Sequence, residues 1–176
     1  TLATTILIPA NSPQATATLA AVSDLFDELD QTVIIDVDVV TNGTENGTQR
    51  QTVTIVDNDE IPTVELLVGS ATIGEVGATS TTLVTAKLSA ISEKIVTVTL
   101  GKTGTTVENT DYQLLSTITV PIYTQTASIT LTALGDLFDE FDETVIIDIT
   151  SQVNGVEKDN LQKQTVTIVD DDPTPT

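Results

Sequence analysis

A long internal repeat constrains this chain more than any other feature. A shift of 112 residues superposes Asp24–Asp36 on Asp136–Asp148, and the two copies differ at only two positions. After a one-residue insertion, Gln51–Asp59 matches Gln164–Asp172 with a single difference. Each copy therefore holds an acidic loop, a strand-like stretch and a second strand-like stretch that ends in acidic residues. A period of about 110 residues suits a β-sandwich domain of about 100 residues.

The frame of the repeat is uneven. Residues 61–172 form one complete unit, residues 1–60 match only its last half, and residues 173–176 are a tail or the start of a linker. A piece of about 60 residues with half a core is marginally stable alone, and it leaves sheet edges open. In a parent protein, preceding residues would supply the missing strands. In this chain we expect completion by a partner chain, in a homo-oligomer, or packing on the second domain.

Alternating apolar residues and turn residues predict strands throughout the chain. In the complete unit the seven predicted strands lie near 63–68, 81–88, 94–100, 116–120, 126–134, 144–150 and 163–169. In the half unit the four predicted strands lie near 3–8, 15–22, 31–39 and 51–56. Almost no helix is predicted. The expected fold class is all-β: an antiparallel immunoglobulin-like β-sandwich with Greek-key connections, in tandem repeat.

The composition excludes several classes of function. The absence of cysteine and histidine removes the usual zinc sites and Ser-His-Asp catalysis. A net charge of −20, from 26 acidic and 6 basic residues, should repel nucleic acid and anionic membranes. Only two Tyr and three Phe are present, with no Trp, so aromatic platforms for sugars are scarce. We therefore expect a protein that is not an enzyme. The missing cysteines fit many bacterial surface proteins.

The acidic residues are predicted to converge at one end of the sandwich. An antiparallel pairing of the strands near 144–150 and 163–169 brings the start of one beside the end of the other, about 5 Å away. The expected rim consists of Asp136, Asp139, Glu140, Asp142, Glu143, Asp170, Asp171 and Asp172. Neither of the two segments that form this rim, 136–143 and 170–172, contains Lys or Arg. Many oxygen ligands on an irregular loop suit Ca2+, whereas the simplest alternative is a solvated acidic edge.

At these residues the chain resembles the Calx-beta family, the calcium-binding sandwich modules of sodium–calcium exchangers, an integrin β subunit and many bacterial surface proteins. Glu75 in Ala-Thr-Ile-Gly-Glu-Val-Gly looks like the family's early glutamate, and Asp111-Tyr112 like its Asp-Tyr pair. The acidic loop 136–143 and the terminal acidic run 168–172 complete the pattern. The resemblance covers nearly all of residues 61–172.

The resemblance implies a set of calcium ligands in the complete unit. The implied carboxylate ligands are Glu75, Asp111, Asp136, Glu140, Glu143, Asp170, Asp171 and Asp172. The backbone carbonyl of Phe138 is a further candidate. Tyr112 is expected to pack in the core.

The half unit departs from the family pattern. Gln31 replaces Glu143 and Asn58 replaces Asp171, and no counterpart of Glu75 or Asp111 is present. The candidate ligands that remain are Asp24, Glu28, Asp57 and Asp59. Because each lost charge weakens a calcium site, we expect the first site to be weak, partial or empty.

These features predict a calcium-binding structural and interaction module of a larger extracellular or cell-surface protein. The expected context is cell adhesion in a membrane-associated parent, with Ca2+ stiffening the loops and the joints between domains. The expected partners are neighbouring repeats of the same protein and an unknown adhesion partner, but not nucleic acid. One alternative is a calcium-independent acidic sandwich that serves as a spacer or assembly unit. Another is an intracellular calcium sensor.

Overall fold

The computed structural model describes residues 1–75, 80–160 and 162–175. The contacts divide the chain into two units. Unit 1 comprises Thr1–Leu25 and Leu29–Asp59, and unit 2 comprises Phe26–Glu28 and Glu60–Thr176. Val76 and Gly77 of the early-glutamate motif, and Thr176 of the tail, lie outside the described residues. The domain boundaries drawn from the repeat remain a prediction.

Unit 1 contains one two-stranded sheet. Strands β1 (Gln31–Asp36) and β2 (Arg50–Ile55) pair antiparallel, with Thr32 opposite Thr54. The strands predicted near 3–8 and 15–22 are wrong, because neither segment forms a ladder. Their alternation of apolar residues has no sheet to face, and Leu7 is 81% exposed. Since a strand exists only through its partner, the sequence pattern alone was insufficient there.

Unit 2 is a sandwich of two five-stranded sheets. Its strands are β3 (Thr63–Val68), β4 (Thr72–Gly74), β5 (Thr81–Leu88), β6 (Val96–Gly104), β7 (Tyr112–Gln113), β8 (Thr117–Val120), β9 (Thr126–Ala133), β10 (Glu143–Val153), β11 (Val156–Glu157) and β12 (Gln164–Val169). One sheet has the order β4-β12-β10-β6-β8 and the other the order β11-β3-β5-β9-β7. Because β9 pairs with β5 and not with its predecessor β8, the chain crosses between sheets as in a Greek key.

The core of unit 2 lies between the two sheets. Alternate residues of β9, β10 and β12 point inward, and Leu131, Val145, Ile147 and Val166 are fully buried. Each fully buried aliphatic side chain of this size contributes about 1.5–3 kcal/mol by leaving water. Tyr112 is also in the core, as predicted, at 3% exposure.

The seven strands predicted for the complete unit are all present, and the all-β prediction is confirmed. Strands β4, β7 and β11 were not predicted, because two or three residues show no alternation. The short 3-10 helix Lys158–Asn160 is the one helical element of the described residues. No helix in that part of the chain is long and apolar enough to cross a membrane.

Candidate metal centre

Two acidic segments meet at one end of the β10–β12 pair. The strands are antiparallel, with Glu143 opposite Ile168. Asp142 therefore precedes β10 at the edge where Asp170 follows β12. The amide of Asp170 donates a hydrogen bond to Oδ1 of Asp142 at 3.3 Å. The strand register thus brings the loop 136–143 and the run 170–172 together, as the sequence predicted.

The neighbouring strand β4 brings Glu75 to the same edge. Strand β4 pairs parallel with β12, with Gly74 opposite Val169. Because both strands end in the same direction, Glu75 emerges beside the acidic run that follows β12. Carboxylate oxygens of Glu75, Asp171 and Asp172 lie within 4.8 Å of one another. Among the described residues, these three form the one group of three or more potential metal ligands with that spacing.

Gly135 brings the acidic loop against Glu75. A Cβ at Gly135 would lie 3.1 Å from the carbonyl oxygen of Glu75 and 3.4 Å from its Cβ. Only hydrogen fits this space without displacing the neighbour. The loop therefore starts in contact with Glu75. The corresponding residue of the first repeat copy is Ser23.

Asp111 and Glu143 lie side by side on the rim. The turn before β7 holds Asp111, whose Oδ2 accepts the amide of Val107 and whose carbonyl accepts the amide of Leu134. Desolvation raises the pKa of Glu143, and so do the charge of Asp111 and a hydrogen bond to it. Because neighbouring carboxylates repel each other, a cation bound between Glu143 and Asp111 would relieve this unfavourable interaction.

Burial and the surrounding acidic side chains of the rim raise the pKa of Glu75. Burial, together with the charges of Asp170, Glu140, Asp136 and Asp171 in that order, raises the pKa of Glu75 to about 7. Glu75 is 8% exposed, so water screens its charge poorly. Desolvation followed by acidic neighbours also raises the pKa of Glu140 and of Asp172.

Asp172 has a buried oxygen that the protein does not satisfy. Its Oδ2 has no hydrogen-bond partner among the described residues. A buried polar atom without a partner is costly and needs an explanation. A cation next to Glu75, Asp171 and Asp172 would provide one, because these oxygens are the hard donors that calcium prefers. The residues therefore fit a calcium ion.

The lysines of unit 2 do not neutralise this rim. The ion pairs of the described residues join Lys94 to Asp27, Lys102 to Glu108, and Lys158 to Glu65. None of them includes a predicted calcium ligand of the complete unit.

Phe138 lies at the exposed tip of the loop. Its amide donates a hydrogen bond to Oδ1 of Asp136 at 2.7 Å, and its side chain is 70% exposed. Its carbonyl as a calcium ligand remains a prediction, and so does the role of each carboxylate. Asp142 joins the two acidic segments, since its Oδ1 accepts the amide of Asp170.

The first repeat copy preserves part of this arrangement. In unit 1 the amide of Asp57 donates to Oδ1 of Asp30 at 3.0 Å, as Asp170 does to Asp142. The amide of Asp59 donates a hydrogen bond to Oδ1 of Asp57 at 3.4 Å. In unit 2 the amide of Asp172 donates one to Oδ1 of Asp170 at 3.5 Å. Asp30 and Asp142 therefore make the same backbone contact at equivalent positions of the two copies. Asp24 also lies in unit 1, whereas Glu28 belongs to unit 2.

Solved structures similar to this chain share its fold. The apo-form Calx CBD1 domain matches with a TM-score of 0.50 and 18% identity, over 62% of this chain and 99% of that chain. The calcium-binding domain CBD12 of CALX1.1 and CBD12 from CALX1.2 match with TM-scores of 0.49, at 21% and 19% identity. Each of these two matches covers 57% of this chain and 41% of the solved chain. No protein-family model matches, and a search of curated proteins finds no match. The chain therefore contains the β-sandwich fold of the Calx calcium-binding domains, the Calx-beta fold.

Proposed function

We propose that residues 61–172 form a calcium-binding structural and interaction module. The observation that carries this proposal is the buried Oδ2 of Asp172, which lacks a partner in the described residues and belongs to a group with Glu75 and Asp171. These three residues would bind the calcium ion directly. Its positive charge would also stabilise the other carboxylates of the rim. The ion would supply the positive charge that the lysines do not bring to the rim.

The first test is thermal unfolding of the full chain in calcium-free buffer and at rising calcium. A ligand that binds only the native state adds about 2.7 kcal/mol of stability at 100 times its Kd. We expect the melting temperature to rise with calcium in the native protein, and Asp172→Asn to lose most of that rise. The matched control is Asp148→Asn, which removes the same charge from β10 about 17 Å along the strand from its start, at 3.4 Å per residue. It should keep the full response.

The second candidate function is an acidic spacer that does not bind calcium. The raised pKa of Glu75 favours it, since the rim can also be relieved by taking up protons. The same titration separates the two candidates. A melting temperature that stays constant with calcium, equally in the native protein and in Asp172→Asn, would support the spacer and reject the calcium module.

We propose that the module acts in an extracellular or cell-surface protein, as part of a membrane-associated parent involved in adhesion. Calcium affinity tests this location. Extracellular modules bind calcium with Kd values of about 10⁻⁴–10⁻³ M, and intracellular sensors with values of about 10⁻⁷–10⁻⁵ M. A Kd in the first range supports the proposal, whereas one in the second would support the intracellular sensor. The charge and composition favour a non-catalytic protein.

We also propose that unit 1 binds a partner, either a neighbouring repeat or a second copy of the chain. Its sheet has two strands, and Ile6, Leu7, Ile8 and Val39 are 54–81% exposed. In unit 2 the equivalent pair, β10 and β12, is flanked by β6 and β4. Sedimentation over a range of concentrations tests the second copy. A monomer at all concentrations would reject self-association.

A further inference from the structure

Phe26–Glu28 is a distant segment that unit 2 incorporates. Asp27 is 3% exposed and forms a bridge with Ser92. Its carboxylate accepts hydrogen bonds from Oγ of Ser92 at 2.9 Å and from Nζ of Lys94 at 2.7 Å. Its carbonyl oxygen accepts the amide of Glu93 at 3.0 Å and the Ser92 hydroxyl at 3.1 Å. One aspartate therefore satisfies three consecutive residues of the loop that precedes β6.

The same motif occurs a second time without this environment. Asp139 takes the place of Asp27 in the second copy, and its neighbours match apart from Phe141 in place of Leu29. Asp139 is exposed, and Leu137, Phe138 and Phe141 are 88%, 70% and 93% exposed. By contrast, Phe26 is half-buried. The two copies thus differ in burial at the aspartate and at the phenylalanine before it, whereas Leu25 and Leu29 of the first copy are exposed like their counterparts, at 81% and 66%.

We infer that Phe138–Glu140 is a docking segment for the Ser92–Lys94 loop of another copy of residues 60–176. The hydroxyl of Ser92, the amide of Glu93 and the ammonium of Lys94 are the groups that recognise an aspartate at this position. Charge complementarity favours this partner, because the chain has only 6 basic residues against 26 acidic ones. Within the chain itself, Asp27 already fills the loop.

This inference rests on the part of the proposed function that gives the module neighbouring repeats, and it does not require calcium. Partial burial of Phe138, as at Phe26 in the first copy, would add to the polar contacts. Each interaction of Asp139 would reproduce one that Asp27 makes, so the partner is specified atom by atom.

Cysteine cross-linking tests the inference, since the native chain has no cysteine. The test protein is the full chain through Asp172, followed by a second copy of residues 60–176. It carries Asp139→Cys in the first part and Ser92→Cys in the added copy. The positive control is Asp27→Cys with Ser92→Cys in the native chain, and the matched negative control pairs Asp139→Cys with Thr117→Cys of the added copy, an exposed site on β8. Oxidised glutathione is the oxidant, and far-UV circular dichroism verifies folding.

We expect the test pair to form a disulfide to at least half the yield of the positive control and at least fivefold more than the negative control. Because Asp27→Cys and Asp139→Cys remove the same carboxylate, the positive control gives the yield that the remaining contacts of the docked segment permit. A test pair that equals the negative control while the positive control cross-links overturns the inference. Failure of the positive control overturns it too, because the docked form would then be absent. The test is made in calcium-free buffer, because Phe138 and Glu140 of the segment are also predicted calcium ligands. A disulfide that forms there shows docking whether or not the chain binds calcium.

Discussion

Gly135 contacts Glu75 so closely that a Cβ on Gly135 would lie 3.1 Å from the Glu75 carbonyl oxygen. This contact joins the acidic loop to the buried glutamate of the rim. In the proposed calcium site, ligands from both segments surround one ion, so the separation of the two segments determines the quality of the site.

Replacement of Gly135 by alanine should weaken calcium binding. The added methyl group would move Glu75 by a few tenths of an ångström, and we expect about a fivefold loss of affinity, or about 1 kcal/mol. Isothermal titration with calcium measures the change. Gly69→Ala is the control, since its nearest neighbour would lie at an ordinary 3.4 Å. Equal affinities for Gly135→Ala and the native protein would show that the contact does not position the ligands.

Without calcium, the stability of unit 2 should fall as pH rises from about 4.5 to about 7. The pKa of Glu75 is raised from 4.5 to about 7, so in this window the folded state binds more protons than the unfolded state. Stability then decreases with pH, because removing the proton from Glu75 costs more free energy in the folded state than in the unfolded state. Urea unfolding at several pH values measures the slope.

Glu75→Gln is the informative variant for this pH dependence. It removes the titrating group, so the decline should become shallower, and the remaining slope would come from Glu140, Glu143 and Asp172. Stability that increases through this pH range in the native protein would contradict the prediction.

Glu143→Gln should have opposite effects with and without calcium. Glutamine can donate a hydrogen bond to Asp111 while removing one of the two acidic groups, so the calcium-free protein should melt a few degrees higher. The loss of one charge from the site should weaken calcium binding about tenfold. The first repeat copy already has Gln31 at this position. Differential scanning calorimetry at both calcium levels tests the prediction, and a decrease in both melting temperatures would indicate a purely structural role.

Asp27→Ala and Asp139→Ala should differ in their effect on stability despite their nearly identical sequence contexts. The first change removes the carboxylate that pairs with Lys94 and the shorter of the two hydrogen bonds of the Ser92 hydroxyl, and Ser92 is 2% exposed. The cost of leaving buried polar groups unpaired is about 1–3 kcal/mol. The second change affects an exposed side chain, where effects are within about 0.5 kcal/mol. Guanidinium unfolding compares the two variants directly, and equal midpoints would show that the Asp27 contact is not stabilising.

Much of the fold of unit 2 could be predicted from its sequence. The alternation in β9, β10 and β12 is strong because one face of each strand is buried, so the residues that point inward must be apolar. The antiparallel β10–β12 pairing was predicted because the connection between the two strands contains Asn154-Gly155. That pairing alone was enough to predict that the loop 136–143 and the run 170–172 meet.

The position of Glu75 could not be obtained in this way. Strand β4 has three residues and pairs parallel with β12, far away in sequence. The resemblance to Calx-beta modules selected Glu75, whereas its closeness to Asp171 and Asp172 depends on that parallel pairing. The wrong strand predictions for 3–8 and 15–22 have a related explanation. An alternating pattern forms a strand only where another strand pairs with it.

The sequence by itself determined that the chain is a β-repeat with two copies of an acidic motif, because periodicity and internal identity are local properties. Tertiary structure alone decided what each copy does. Asp27 is buried against Ser92 and Lys94, and Asp139 is exposed, although the residues next to them are the same. The physical reason is that burial, hydrogen bonding and charge neutralisation depend on the groups that other segments bring near a side chain, which local sequence does not specify.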